Sequence, residues 1–247
     1  MGGSRKHFYK NIPERRPPSD PGFFLNYLLA IDFIEGRITE GNDYRLLDIG
    51  FGSLDFLLHM TRHHPNIAGF GCDISDKRIG RAAPLERIDL QVADFNDCHS
   101  VYPDGFFDFV LAAELIEHLE NTDNLIVESK RYLNKGGYLI ITTPNLAAWY
   151  ERILLLLGME PLMAEVAYSS RTYGKSWLYK LMGRDASPPI GHLRLFTPAA
   201  LRELCEYHGL VMVEYSGYYT VDFLPNRLIS RFCRNMAQGI FMVFRKP

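Results

Sequence analysis

The sequence has no long apolar run, few cysteines and no surplus of one charge. The longest uncharged apolar stretch of interest, Ile153–Met159, is far shorter than the ~20 residues that cross a bilayer, so we expect no transmembrane segment. The four cysteines lie far apart and form no C-x-x-C pair, which argues against a zinc ribbon and a disulfide-framed secreted domain. Lysine and arginine number 27 against 29 acidic residues, so no global basic field collects nucleic acid, although a local patch stays possible.

The N-terminal residues lack the apolar core of a secretory signal. Residues 1–7 are polar and lead into the proline-rich stretch Asn11–Pro21, so we expect a cytoplasmic protein. Apolar residues at helical spacing then predict a helix over Gly22–Glu35. With 47% hydrophobic residues in a chain of 247, we expect one globular domain in which residues 1–43 form an N-terminal helical extension.

From Tyr44 onwards, short apolar runs alternate with amphipathic segments. This alternation predicts parallel strands joined by crossover helices that cover both faces of the sheet. Residues 146–190 interrupt the rhythm and are predicted to form a lid over the substrate. The predicted strands are Arg45–Ile49, Ala68–Cys72, Asp89–Val92, Phe107–Ala112, Gly137–Thr142, Val211–Tyr215 and Ile240–Phe244, and the main predicted helices are Leu54–His63, Asp76–Ala83, Asp123–Leu133, 198–208 and Leu228–Met236.

A glycine turn and three acidic residues follow the first three predicted strands. In residues 48–52, DIGFG, the glycines would let the backbone approach a ligand closely. Asp73 lies 23 positions after Gly50, where a carboxylate in a doubly wound fold accepts from a ribose diol. Asp94 and Phe95 suit an adenine amine and ring. The alternative is a plain strand-to-helix turn with acids that only cap helices.

Glu114, Glu117 and His118 follow the fourth predicted strand. Spacings of three and four residues predict that they share one face of a helix, and the loop carrying His192 would bring a fourth member. Such a group could hold Mg²⁺ or a similar cation, or one of the histidines could be a general base. The alternative is a motif without metal in which the acid caps a turn.

In order and spacing, these motifs resemble those of class I S-adenosylmethionine-dependent methyltransferases. The resemblance covers roughly residues 44–145 and 190–247, and includes residues 113–119, AELIEHL, and residues 133–145, LNKGGYLIITTPN. Residues 191–196, GHLRLF, are similar to the branch that includes ubiquinone-biosynthesis O-methyltransferases. The resemblance implies an α/β fold with a doubly wound, Rossmann-like sheet of seven strands whose last strand is antiparallel.

The resemblance also implies the cofactor S-adenosyl-L-methionine and its binding residues. Leu54 stands where the family usually has a third glycine and could narrow the methionine pocket. Similar E-x-x-E-H segments hold a divalent ion in ubiquinone-pathway O-methyltransferases and in small-RNA 2′-O-methyltransferases. The implied cofactor residues are Asp48, Gly50 and Gly52 at the methionine, Asp73 at the ribose, and Asp94 and Phe95 at the adenine; the implied metal ligands are Glu114, Glu117, His118 and His192, of which Glu114, His118 and His192 are the catalytic candidates.

The expected reaction is methylation of an oxygen on a small molecule, lipid precursor or glycan. The first alternative is a metal-assisted RNA 2′-O-methyltransferase, weakened by the net charge of −2. The second is a cofactor-binding partner subunit without catalysis. The leucine-rich run 153–157 could line a lipophilic pocket, rest on a membrane, or pack as lid core or subunit contact. Basic and aromatic residues over 171–184 could contact a nucleotide or form a solvated loop. The oligomeric state stays open.

Overall fold

A computed structural model of the chain describes residues 25–81, 85–97, 101–181, 183, 188–221 and 224–247. In chain order its elements are α1 (Leu25–Glu35), β1 (Tyr44–Ile49), α2 (Asp55–His63), β2 (Ile67–Asp73), α3 (Asp76–Arg81), β3 (Ile88–Val92), β4 (Phe107–Ala113), α4 (Thr122–Tyr132), β5 (Leu133–Pro144), α5 (Trp149–Leu156), α6 (Ser176–Leu181), α7 (Pro198–Tyr207), β6 (Val211–Tyr218), α8 (Leu224–Phe232) and β7 (Gly239–Arg245). Single turns of 3-10 helix occur at Ile116–His118 and Arg234–Met236.

The seven strands form one sheet in the order β3-β2-β1-β4-β5-β7-β6. Strands β1 to β5 pair in parallel, whereas β7 is antiparallel to both β5 and β6. The predicted doubly wound α/β sheet with an antiparallel last strand is therefore confirmed. The strand order reverses direction between β1 and β4, and ligands bind at the carboxyl edge of such a switch point.

Helices cover both faces of the sheet because alternate strand residues face opposite cores. In β1, Leu46 belongs to one buried cluster and Leu47 to the other. The helices α1 and α2 pack in the cluster of Leu46, and α4 and α7 contribute to the cluster of Leu47. Asn121 caps α4 and Thr197 caps α7 through bonds from backbone N–H groups, as expected of N-cap residues.

The predicted helix that carries Glu114, Glu117 and His118 on one face is wrong. Only Ile116–His118 is helical, as one 3-10 turn. Glu114 lies in the bend directly after β4 instead, where its backbone N–H donates to the Thr142 carbonyl at 3.0 Å and its φ is 51°. This left-handed conformation is uncommon for a residue with a side chain, so the chain turns sharply between strand and helix.

Two further element boundaries differ from the prediction. Strand β5 begins at Leu133, directly after α4, because Leu133 pairs with Phe107 before the register shifts. The predicted helix Leu228–Met236 is α8 followed by a separate 3-10 turn. Residues 22–24 and 82–83 of two predicted helices lie outside the described residues. Within the described part of the chain, no helix combines the length and the apolar character that crossing a membrane requires.

Candidate functional site

A cleft opens at the carboxyl edge of the sheet, where the connections after β1, β2, β3 and β4 meet. The space inside it, with its open mouth included, is about 850 Å³. Gly50, Asp73, Asp94, Phe95, Glu114 and His118 all contribute to its lining. Residues from four separate predicted motifs therefore meet in one hollow.

The glycine turn after β1 closes the base of the cleft. Gly50 has a φ of 70°, and its N–H donates to the Cys72 carbonyl at 2.7 Å. A Cβ on Gly50 would lie 2.9 Å from Cδ1 of Leu115, so a side chain here is both strained and crowded. Gly52, at a φ of 52°, donates its N–H to Oδ2 of Asp73 at 3.3 Å.

Asp73 lies at the end of β2, and its buried carboxylate already has several donors. Oδ1 accepts from the Ser75 N–H at 2.8 Å. Nη1 of Arg78 donates to both oxygens, at 3.2 Å to Oδ1 and 3.0 Å to Oδ2. The sequence pattern missed Arg78, which also lines the cleft, because nothing in its local spacing marks it.

Asp94 and Phe95 lie beyond the end of β3. Oδ1 of Asp94 accepts from the Asn96 N–H at 3.1 Å, so this acid also stabilises the turn that follows β3. Phe95 is buried and holds Asn124 through its carbonyl, which accepts from Nδ2 at 2.9 Å. Both residues nevertheless line the cleft.

Asp48 is buried in β1 and is not among the residues that line the cleft. Neither of its carboxylate oxygens has a hydrogen-bond partner in the described structure. Burial, and then the nearby charge of Asp73, raise its pKa well above the ordinary value. A buried carboxylate without donors is costly, so this position favours a donor or a positive charge from a ligand.

Glu114 belongs to a second network, which connects β4 with β5 and β6. Its Oε1 accepts from Thr142 Oγ1 at 2.9 Å and from the hydroxyl of Tyr218. Nδ2 of Asn26, on α1, donates to the same threonine hydroxyl at 3.3 Å. Burial, and next the charge of Glu117, raise the pKa of Glu114 to about 7.

Glu117, His118 and His192 form the group of possible metal ligands in the described structure. One ligand atom from each lies within 4.8 Å of the others, and the two imidazole rings are 5.0 Å apart. Glu114, predicted as a fourth ligand, does not belong to this group, since its carboxylate is engaged with Thr142 and Tyr218. The structure thus brings together three of the four predicted residues.

Hydrogen bonds fix the orientation of all three residues. Glu117 is buried, with Oε2 accepting from Thr143 Oγ1 at 2.9 Å and Oε1 without a partner. Nδ1 of His118 lies 3.1 Å from the Gly191 carbonyl oxygen, and Nδ1 of His192 lies 3.0 Å from that of Met163. A ring that donates from Nδ1 carries its lone pair on Nε2, the arrangement common for metal-ligating histidines.

The half-buried Glu165 of the lid holds the loop that carries His192. The Glu165 carboxylate accepts from the N–H groups of Ile190 and Gly191, at 2.7 and 2.8 Å. The N–H of Leu193 donates to the Glu117 carbonyl at 2.7 Å. These contacts return the chain to the cleft beside His118, and the sequence spacing did not indicate them.

Lys175 does not serve as a ligand contact on the surface of the lid. It is 1% exposed, and its Nζ donates to the carbonyl oxygens of Pro161, Leu162 and Ala164. The suggestion that this lysine pairs with a nucleotide is therefore wrong, because all three ammonium donors are used to fold the loop. Glu151 supports the same loop by accepting from the Leu162 N–H at 2.6 Å.

Comparison with known proteins connects this architecture to one family. A family model described as "Methyltransferase domain" matches residues 12–215. The chain is 28% identical over 122 residues to a ubiquinone biosynthesis O-methyltransferase of Dechloromonas aromatica, covering 47% of this chain and 51% of that protein. It is 32% identical over 109 residues to an ajmaline N-methyltransferase of Rauvolfia serpentina, covering 41% of this chain and 36% of that protein.

A solved S-adenosylmethionine-dependent methyltransferase from Mesorhizobium loti has the same fold. The two structures align with a TM-score of 0.55 at 15% identity, covering 87% of this chain and 96% of that chain. The matched part of this chain spans about a third to a half of the length of the two curated relatives. One of these relatives is an N-methyltransferase and the other is an O-methyltransferase, so the two do not share one kind of acceptor atom.

Proposed function

This chain belongs to the methyltransferase-domain family, and we propose that it is an S-adenosylmethionine-dependent methyltransferase acting on an oxygen atom. One observation carries the proposal. Gly50, Asp73 and the pair Asp94–Phe95 follow three successive strands and line one cleft at the switch point of the sheet. This is the edge at which doubly wound sheets bind nucleotides. The resemblance seen in the sequence and the match of the family model support the same assignment.

The residues present fit S-adenosylmethionine. The backbone of Gly50 leaves room for the methionine portion, Asp73 would accept from the ribose hydroxyls, and Asp94 with Phe95 would contact the adenine. Asp48, two residues before Gly50, has no hydrogen-bond donor on its buried carboxylate, and a positively charged group of the bound cofactor would favour its ionised form. When bound, S-adenosylmethionine supplies an electrophilic methyl group on a positively charged sulfur, which such an acidic region favours.

His118 and His192 are the proposed proton acceptors. A hydroxyl must lose its proton as its oxygen attacks a methyl group, and imidazole is well suited to accept a proton near neutral pH. The backbone carbonyls at Nδ1 orient both rings. His118 Nε2 lies 4.0 Å from Oε1 of Glu117, so a protonated His118 would gain a favourable charge interaction.

As an alternative role for the same residues, we propose that Glu117, His118 and His192 hold a divalent cation. The Nε2 atoms of both histidines would then bind the ion, and neither ring would accept the proton. The unpartnered, buried Oε1 of Glu117 faces two oriented imidazoles, and a cation would satisfy all three. Two nitrogen donors and one carboxylate suit a transition ion such as Mn²⁺ or Zn²⁺ better than Mg²⁺, which prefers oxygen ligands. Such an ion would lower the pKa of an acceptor hydroxyl and orient it.

The acceptor class is proposed as a small molecule, a lipid precursor or a glycan. The lid over residues 146–190, predicted to select it, packs through Met163 and Glu165 onto the loop of His192. The RNA alternative loses support because Lys175 is buried within the lid. The single-domain organisation and the cytoplasmic location stay predictions.

Calorimetry and labelled methyl transfer test the proposal together. S-adenosylmethionine should bind to the purified protein, and a cell extract supplied with the labelled cofactor should incorporate label that is then fractionated into lipid, RNA, glycan and small-molecule pools. His192→Ala should keep cofactor binding and lose transfer. Absence of binding would overturn the assignment, binding without transfer into any pool would favour the partner-subunit alternative, and label confined to RNA would favour the RNA enzyme.

A further inference from the structure

Helix α8 has its apolar stripe turned towards solvent. Leu224, Leu228 and Phe232 follow one another at four-residue spacing and are 66, 48 and 71% exposed. The one buried residue of the helix is Asn226, whose Oδ1 accepts from Nε1 of Trp149 at 3.0 Å. A surface helix of a globular protein normally buries its apolar stripe and exposes its polar side. Helix α8 does the reverse, so the stripe has no partner within the described structure.

Positive charges lie beside this stripe. Arg227 and Arg231 are exposed on α8, and Arg234 is exposed in the turn that follows. The guanidinium of Arg231 lies 5.5 Å from the centre of the Phe232 ring. The sequence contains no aspartate or glutamate between residues 224 and 247, although the whole chain is slightly acidic. Basic residues that flank an apolar helical stripe are typical of helices that lie on anionic membrane surfaces.

Helix α5 also exposes large apolar side chains. Trp149 contacts α8 through Asn226, and Ile153 and Leu156 lie four and seven positions further along α5, on the same side of the helix. These two side chains are 48 and 86% exposed. Two neighbouring helices therefore present large apolar side chains outwards, and both adjoin the lid side of the protein.

We propose that α8, together with the outer side of α5, docks on the surface of a bilayer that contains anionic lipid. Leu224, Leu228 and Phe232 would enter the boundary between headgroups and acyl chains, and the arginines would pair with lipid phosphates. A second copy of the chain fits this surface less well. A two-fold interface would place Arg227 and Arg231 against their own copies without an acidic residue from α8 to pair with them.

Vesicle co-sedimentation tests the proposal with the full chain. The protein should sediment with vesicles of phosphatidylcholine mixed with phosphatidylglycerol. The double variant Leu228→Gln/Phe232→Gln should bind about tenfold more weakly, because two side chains lose their apolar burial. Arg231→Gln should weaken binding to the mixed vesicles and leave binding to pure phosphatidylcholine unchanged. The control Tyr207→Gln/Val211→Gln replaces exposed residues at the end of α7 and the start of β6 and should bind like the unmodified protein.

Three results would overturn the proposal. The first is failure of the unmodified protein to sediment with the mixed vesicles. The second is an equal loss of binding in the control variant. The third is a dimer in sedimentation velocity that the Leu228/Phe232 variant abolishes, since that would identify a second copy as the occupant. Circular dichroism and S-adenosylmethionine binding of each variant establish that it is folded, and the docking does not depend on the identity of the methyl acceptor.

Discussion

Arg78 holds the carboxylate of Asp73 from one nitrogen, with Nη1 at 3.2 Å from Oδ1 and at 3.0 Å from Oδ2. Backbone N–H groups of Gly52 and Ser75 donate to the same two oxygens. A carboxylate offers about four lone-pair sites, and these donors use all of them. A ribose diol could bind Asp73 only by displacing a donor, and Arg78 is the one whose side chain can move away.

Replacing Arg78 should therefore strengthen cofactor binding. In Arg78→Met, two acceptor sites on Asp73 are free for the ribose hydroxyls without displacement of a donor. We therefore expect S-adenosylmethionine to bind about fivefold more tightly, a gain equivalent to the free energy of one partly exposed ion pair. Asp73→Asn should weaken binding by about tenfold or more through loss of charged hydrogen bonds. Isothermal calorimetry measures both. Weaker binding by Arg78→Met would mean that the arginine positions Asp73 for the ribose instead of competing with it.

Gly50 should tolerate no side chain. Gly50→Ala adds a Cβ 2.9 Å from Leu115 at a φ of 70°, and we expect a loss of about 1–2 kcal/mol in the free energy of unfolding together with loss of S-adenosylmethionine binding. Gly158→Ala is the matched control, because Gly158 also has a φ of 70° but open space around it. The control should lose free energy of unfolding only through the strained backbone, and it should bind the cofactor normally. Equal effects of the two changes on binding would contradict the cleft assignment.

Glu117 and Glu114 should differ in their effect on metal binding. Glu117→Gln removes the one carboxylate of the proposed site, and we expect affinity for Mn²⁺, measured by electron paramagnetic resonance of the free ion, to fall by about tenfold or more. Glu114→Gln should keep its affinity, since Thr142 and Tyr218 engage Glu114 outside the group. If both variants lose Mn²⁺ to the same degree, Glu114 is a ligand as the sequence motif implied.

Glu151 should make the protein less stable as the pH rises. Burial raises its pKa from 4.5 to about 7, so between these values the folded protein binds more protons than the unfolded chain. The free energy of unfolding should then fall with rising pH across this window, by about 3 kcal/mol in total. Urea titrations at several pH values should show a flatter profile for Glu151→Gln. Glu203→Gln, on an exposed position of α7, should retain the slope of the unmodified protein.

The sequence pattern predicts the sheet well because each strand is indicated by the apolar residues of its own segment. Apolar runs such as Arg45–Ile49 and Ile240–Phe244 lie within one or two residues of β1 and β7. The helix predicted at Glu114 fails because distant partners decide its geometry. Thr142 and Tyr218, 28 and 104 positions away, hold this carboxylate against β5 and β6. Residue spacing along one segment contains no information on such contacts.

The candidate site divides in the same way. Gly50, Asp73 and Asp94 could be predicted because each lies at the end of its own strand or within two residues after it, and neighbouring parallel strands bring these ends to one cleft. The roles of Arg78 and the buried Lys175 could not be predicted, since they depend on atoms that only the folded chain brings near. Helix α8 shows a further limit. The spacing of its apolar residues correctly predicts a helix. The same spacing predicts that these residues face a core, whereas in the described structure they are exposed.

The segment from Asn145 to Phe196 leaves and rejoins the sheet at a single point. The Leu146 N–H donates to the Phe196 carbonyl at 2.9 Å, and Asn145 and Phe196 form a parallel bridge. The chain between them can lengthen or shorten without shifting the strands beneath it, provided that Gly191, His192 and Leu193 keep their contacts with Glu117 and His118. Natural variation or laboratory grafting could therefore change the acceptor by altering the outer part of this segment while the proposed cofactor cleft stays unchanged.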